Sequence, residues 1–589
     1  MVVIASFFIF IFIKVNDMVI ESLSKKIKAI DIVLIGAIIL SSIVPLLSIP
    51  VYFRGDDIEW LEWAKFHHNP LTVFNPLDNE NLMMGCYRPI INIIWYILFH
   101  IFGLKLNSFP YQVSLHLFFI GSLIYLYKIA KLIFTKKIAF FSISLFHLCF
   151  YFILHILTWC SYISHISHLF FITASIFHFI KGMKWKDKRG DLTIGIILSF
   201  IAFLSNIQSI LIIPIVITTY LISYYKEIAL IPKNKICLVI GIIIVPVIYV
   251  LFLHLVPLSR MSDLLSAKSL FEILQVVGIR YNFYMGELTN GISEIIISFT
   301  TMLFIIYKFS EYLKVKWEKY LLFYYGLIVI IVSLILLDKI TGFSILFLSL
   351  FIAFIIDKKV RFCIAWTFIG FFPLLSQNLY VNGYLLEMSY GLSIFMGVSL
   401  MTFYQDIVKV AQKIKRYNVR WKIIIYSITL FITGYACFYI FTIVLSKINN
   451  LNYFKDTQGN FREVIEYLEE HIPFNDTIYA LKTDQSESSI RKMRRGPARI
   501  QIDRQKAMSL SQIDKLLDMV GRSDIKVKSI NNIDSIAKKD IIGKYLIVLT
   551  PYEKGIVEKE IANREYPYLL KIIREIRRGE TIAVIYTII

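Results

Sequence analysis

The chain of 589 residues is 57% apolar, with a mean hydropathy of +0.66, against about 45–50% apolar in soluble domains. Runs of 18 or more apolar residues recur between residues 31 and 445; each can cross a hydrocarbon core of roughly 30 Å, and being apolar all round they exclude a β-barrel. The formal charge of +20 gathers in loops between these runs, which reads as cytoplasmic loops of a membrane protein and not as a nucleic-acid surface.

Residues 1–13 are apolar but lack a basic start and a small-residue cleavage site. They read as an interfacial segment or an over-extended start, neither signal peptide nor crossing. Lys25, Lys26 and Lys28 precede the first long run, 30–50. Residues 1–29 are therefore expected in the cytoplasm and Arg54-Gly55-Asp56-Asp57 outside. The next apolar stretch, 90–103, is short. If it crossed, the lysines from Lys128 to Lys137 would lie outside and every later basic loop would be inverted; laid on the outer surface, it leaves Lys136 and Lys137 inside.

Crossings follow at 111–133, 138–157 and 161–181. Residues 192–224 are too long for one helix and contain the polar break Ser205-Asn206-Ile207-Gln208, so they are split there into two. A crossing at 236–256 opens an external loop, 257–289, and further crossings fall at 291–309, 319–337, 339–356, 361–378, 383–404 and 422–445. This threading gives thirteen crossings, keeps every major basic loop inside, and bounds a membrane domain at 30–446 with external loops 51–110 and 257–289. The six cysteines are scattered with no CxxC pair and read as small core residues.

An odd number of crossings places residues 447–589 outside. There the apolar runs shorten and charge becomes frequent. The spacing predicts a helix over Phe461–His471 and strands at Thr477–Leu481, Tyr545–Thr550 and Thr581–Thr587, with helical patterns between them: a small α/β domain. The basic stretch Arg491–Arg499 reads as a solvated loop or a contact for anionic lipid or glycan phosphates.

The loop after the first crossing carries the chemistry. Asp56 and Asp57 adjoin Arg54 close to the membrane surface, and Asp57 also stands where it could cap a helix over 57–66. Further on, Tyr87-Arg88-Pro89 opens the aromatic-rich surface helix. A carboxylate can take the proton of an attacking hydroxyl or amine, and an arginine can hold a phosphate through paired, charge-assisted hydrogen bonds. His147, His155, His165 and His168 fall in neighbouring crossings, where an ionisable group is a candidate for function. None has a carboxylate nearby in sequence, so they read as neutral histidines bonded between helices. His155 differs in lying at an outer end, and His67-His68 stand near enough to the acidic pair to share a metal with it.

The acidic pair after the first helix, the Tyr-Arg-Pro motif, the short helix ending in Phe-Gly-Leu and the helix opening FPYQVSLHLF resemble the GT-C membrane glycosyltransferases. The nearest groups are the protein O-mannosyltransferases and aminoarabinose transferases. The resemblance is specific over residues 52–116 and architectural over most of the rest. It implies Asp56 as catalytic base, Asp57 as its acidic neighbour, and Arg88, with Tyr87 and Arg54, at the donor phosphate. It implies a polyprenyl-phosphate sugar donor, an inverting transfer to a lipid, protein or glycan acceptor, and a place in a prokaryotic plasma membrane. No cofactor is obligatory, although some members hold a divalent metal at the acidic pair.

Three positions depart from the pattern. His155 precedes Trp159 where relatives carry an acid, Gln208 stands where a carboxylate is common, and Glu387-Met388-Ser389-Tyr390 replaces an Arg-Tyr motif. His155, Trp159 and Gln208 are the groove candidates. The competing readings are a transporter or flippase of a lipid-linked glycan, disfavoured by the lack of an internal repeat, and a catalytically silent protein of the same fold.

Overall fold

The computed structural model describes residues 53–228, apart from short stretches that include Arg54, His68, His155 and Gln208, and residues 292–312, 339–376, 385–414, 459–481, 510–530 and parts of 543–589. The first crossing, the loop 257–289, the crossings at 236–256, 319–337 and 422–445, and the stretch Arg491–Arg499 lie outside the described residues.

Two carboxylates begin α1 (Asp56–Phe66), and Lys65 stands in its last turn, an order that suits the helix dipole. A short hairpin, β1 (Leu82–Met83) and β2 (Cys86–Tyr87), leads into α2 (Pro89–Phe102). Pro89 opens this helix, where its missing N–H costs nothing. Gly103, at φ 65°, closes it, and its N–H donates to the Phe99 carbonyl. At 14 residues, α2 is about 21 Å long, less than a hydrocarbon core. Trp95 of α2 stacks on Trp60 of α1 at 5.9 Å and lies 5.4 Å from Tyr111, which begins the next helix; all three are buried.

The helices that follow are α3 (Phe109–Ile133), α4 (Lys136–Cys149), α5 (Ile163–Lys184), α6 (Gly190–Ser205), α7 (Ser209–Ser223), α8 (Ile292–Tyr312), α9 (Lys339–Ile356), α10 (Arg361–Ser376) and α11 (Leu385–Ile414). The chain breaks between α6 and α7 where the polar residues 205–208 stand. Among the described residues, Phe109–Ile133 and the segment Cys160–Lys184, which includes α5, are long and apolar enough to cross a membrane. The thirteen expected crossings are not all within the described residues.

In the bundle α5 packs against α3, α6 and α7, and α11 against α4, α8 and α10. Small residues let α10 and α11 meet backbone to backbone: a Cβ on Gly391 would lie 2.5 Å from the Cys363 carbonyl, and one on Gly370 would lie 2.6 Å from Met388 N. Where lipid gives helices no hydrophobic reason to associate, such close approach supplies the packing. Hydrogen bonds add to it. Ser122 of α3 and Tyr390 of α11 share one at 2.7 Å, and Ser175 of α5 and Ser199 of α6 another at 2.7 Å.

The C-terminal residues form an α/β unit, as the sequence pattern suggests. Helix α12 covers residues 459–471. The remaining elements are β3 (Thr477–Leu481), α13 (Leu510–Met519), β4 (Lys526–Ile530), β5 (Tyr545–Val548), β6 (Leu570–Arg578) and β7 (Thr581–Ile588). Their sheet runs β4-β3-β5-β7-β6, parallel through the first three strands and antiparallel beyond. Strands β4 and β6 were not expected from the sequence. Both are edges, and their charged residues are what a protected sheet edge carries. Arg522 ties α12 to the turn after α13: it donates to the carbonyls of Glu469 at 2.6 Å and Ile472 at 2.8 Å and pairs with Asp524 at 2.9 Å. These are the carbonyls that the end of α12 leaves without helical partners.

Candidate functional site

Because α1 begins at Asp56, Asp57 is its second residue and not its cap, a correction by one residue. The Asp57 side chain turns to another element. Ser161 donates both its backbone N–H and its hydroxyl to Asp57 Oδ1, each at 2.5 Å. Asp57 is 1% exposed, and a carboxylate that deep is tolerated only with donors of this kind.

Ser161 belongs to a 3-10 turn, Cys160–Tyr162, that runs directly into α5. Trp159 precedes this turn and meets Tyr162 edge-on at 5.4 Å; Tyr162 in turn lies 5.8 Å from His165. The turn thus ties α1 to the leading end of α5 and fixes the aromatic groups around it.

Arg88 heads α2, which packs against α5. The Tyr87 hydroxyl donates to the Phe74 carbonyl at 2.9 Å, and burial pushes its pKa up to about 12. It therefore stays protonated and pins the hairpin from which Arg88 follows at the head of α2. α2 packs against α5, which carries His165 and His168. These two residues sit three apart on one face of α5, and Ser161 stands four before the first of them, so the three share that face.

Deeper along this face, His168 Nδ1 lies 3.3 Å from Glu387 Oε1 of α11, with both side chains buried. No carboxylate lies near His168 in sequence, and its partner comes instead from a helix far along the chain. Asp57 at one end and Glu387 at the other thus join polar residues of one face of α5: Ser161, just before the helix, His165 and His168.

Asp57 and Trp159 thus meet at the leading end of α5, and Arg88 heads the helix α2 that packs against it. Asp56 is placed by its backbone as the first residue of α1, and its side chain lies outside the described set. Arg54, His155 and Gln208 also lie outside the described residues. Sequence reasoning missed Ser161, which no motif marks. It named Glu387 only as part of a departing motif, although an acid inside an apolar run was itself a signal.

His67 is directed elsewhere. Its Nδ1 donates to the Trp63 carbonyl at 2.9 Å, and its ring stacks on Trp63 at 4.2 Å. Among the described residues no three His, Cys, Asp or Glu side chains gather as metal ligands, and Asp57 Oδ1 already accepts two donors. The Asp56 side chain and His68, the other candidate ligands, lie outside the described set.

No family model matches the chain, and no curated protein does. Solved structures similar to it include ArnT from Cupriavidus metallidurans bound to undecaprenyl phosphate, with a TM-score of 0.41 and 11% identity, covering 94% of this chain and 97% of that one. The apo oligosaccharyltransferase of Archaeoglobus fulgidus gives a TM-score of 0.44 and 11% identity, covering 88% and 69%. The archaeal oligosaccharyltransferase AglB from the same organism, in complex with an inhibitory peptide and a dolichol-phosphate, gives 0.41 and 11%, covering 75% and 58%. Likenesses at these scores carry no argument about activity.

Proposed function

We propose that this chain is an integral membrane glycosyltransferase that moves a sugar from a polyprenyl-phosphate donor to a lipid, protein or glycan acceptor outside the membrane. Asp56 is the general base. It takes the proton of the acceptor's hydroxyl or amine as that atom bonds to the anomeric carbon. The bond from that carbon to the phosphate oxygen breaks on the opposite face, so the anomeric centre inverts. The electron pair leaves with the phosphate, and Arg88 holds the charge that grows there. Asp57, held by Ser161, sets the first turn of α1 and so the place of the base.

The single observation that carries the reading is the convergence of two distant motifs. Asp57 is fastened to the leading turn of α5, and α2, which Arg88 heads, packs against the same helix. A base and a phosphate-binding cation need this proximity to serve one reacting bond.

The direct test compares cell-surface glycans and glycoproteins, by mass spectrometry, in cells with and without this protein. The proposal expects a sugar-bearing species that disappears with the protein. An unchanged profile, in cells shown to insert the protein in the membrane, contradicts it.

A further inference from the structure

The C-terminal unit touches the bundle at an informative place. Lys515 of α13 pairs with Glu62 of α1 at 2.5 Å. Lys65 of α1 donates to the Asp518 carbonyl at 2.8 Å, near the end of α13, where the last carbonyls lack helical partners. Both contacts fall on the last two turns of the helix that begins with Asp56 and Asp57.

α1 is thus held at both ends. Asp57 is fastened to Ser161 at the first turn, and Glu62 and Lys65 are fastened to α13 at the other. The far side of this second fastening is itself rigid. Directly after the turn that follows α13, Arg522 is 7% exposed, grips the carbonyl end of α12 and pairs with Asp524. At 11 residues, α1 is about 16 Å long and moves as one body, so a shift at Lys65 reaches the acidic pair.

We infer that the C-terminal α/β unit is a positioning element for the base, acting on Asp56 through α13, Lys515 and Lys65. This rests on the function proposed above. It gives the unit a role in catalysis without any residue of its own at the reacting atoms. A misplacement of about 1 Å at a reacting group costs up to roughly 100-fold in rate, so a modest loosening of α1 is enough to register.

The test uses the full chain. The variants are Lys515→Glu, which breaks the ion pair, and Glu62→Lys with Lys515→Glu, which restores it with reversed charges. Two quantities are read: hydrogen exchange of the amides of residues 57–66 in nanodiscs, and the glycan product in cells normalised to inserted protein. The inference expects faster exchange in α1 and about a tenfold loss of product in the first variant. In the charge-reversed variant both return toward the parent values, a recovery that a merely misfolded domain would not show.

Unchanged product in the first variant, with Asp56→Asn inactive in the same cells, overturns the inference and leaves the proposed function standing. Equal losses in both variants, without recovery on charge reversal, overturn it too. Full product from Asp56→Asn would instead overturn the proposed function.

Discussion

Asp57 and Ser161 are 104 residues apart in the chain, and two hydrogen bonds join them at the buried start of α5. The pairing makes Asp57 a fastening between α1 and the bundle; in the proposed function the neighbouring Asp56 is the base. Ser161→Ala removes one of the two donors and keeps the backbone one. The expected outcome is a loss of about 1–3 kcal/mol in stability and a partial loss of product, smaller than that from Asp57→Ala. Thermal unfolding in detergent and the glycan assay together check it; equal activity in Ser161→Ala and the parent would remove the fastening role.

The pair formed by His168 and Glu387 gives a second prediction. Both are buried, and they face each other at 3.3 Å. Taking away one partner strands the other in an apolar interior, whereas replacing both with apolar residues of similar volume does not. His168→Ala should therefore destabilise the bundle by about 1–3 kcal/mol for the stranded polar group, and the double variant His168→Phe/Glu387→Met should recover most of that. Comparison of unfolding midpoints checks this; a double variant as unstable as the single one would show that packing, and not the polar pair, sets the cost.

A third prediction concerns the C-terminal unit. Arg522 satisfies carbonyls at the end of α12 and lies over the Phe474 ring at 4.8 Å. Arg522→Ala should cost about 2–4 kcal/mol, because buried acceptors are left without donors. Faster hydrogen exchange confined to 459–481 and 510–530 is the expected signature, and exchange unchanged there would contradict it.

The pH dependence of that unit follows from Asp524. The Arg522 guanidinium, helped by the Asn475 N–H, holds the Asp524 carboxyl below its ordinary value of 3.8. A depressed folded-state pKa means that the stabilisation is fully present above that ordinary value and is lost as pH falls through the lower, folded one. Asp524→Asn should flatten the acid limb of the unfolding curve below about pH 4 and leave the neutral region nearly unchanged. Acid titration followed by near-ultraviolet dichroism measures it, and an identical acid limb in both proteins would contradict the assignment.

Sequence reasoning reached the helical bundle because apolar length is a local property. It also placed the break between Ser205 and Ser209, where polar residues interrupt the run. It failed where partners are remote. Nothing near Asp57 announces Ser161, and nothing near His168 announces Glu387, since each contact is made only once α5 has packed against its neighbours. Strands Lys526–Ile530 and Leu570–Arg578 were missed for another reason. Edge strands carry charge that blurs the period of two, and the apolar residues of Leu570–Arg578 also suit a helix.

The central claim is that Asp56 takes the acceptor's proton. The most direct measurement is the glycan product formed by Asp56→Asn, expressed at the parent level and inserted in the membrane, in cells lacking the parent protein. The account expects product to fall by about 100-fold or more, with the unfolding midpoint unchanged. Product at the parent level from the Asn variant would contradict it.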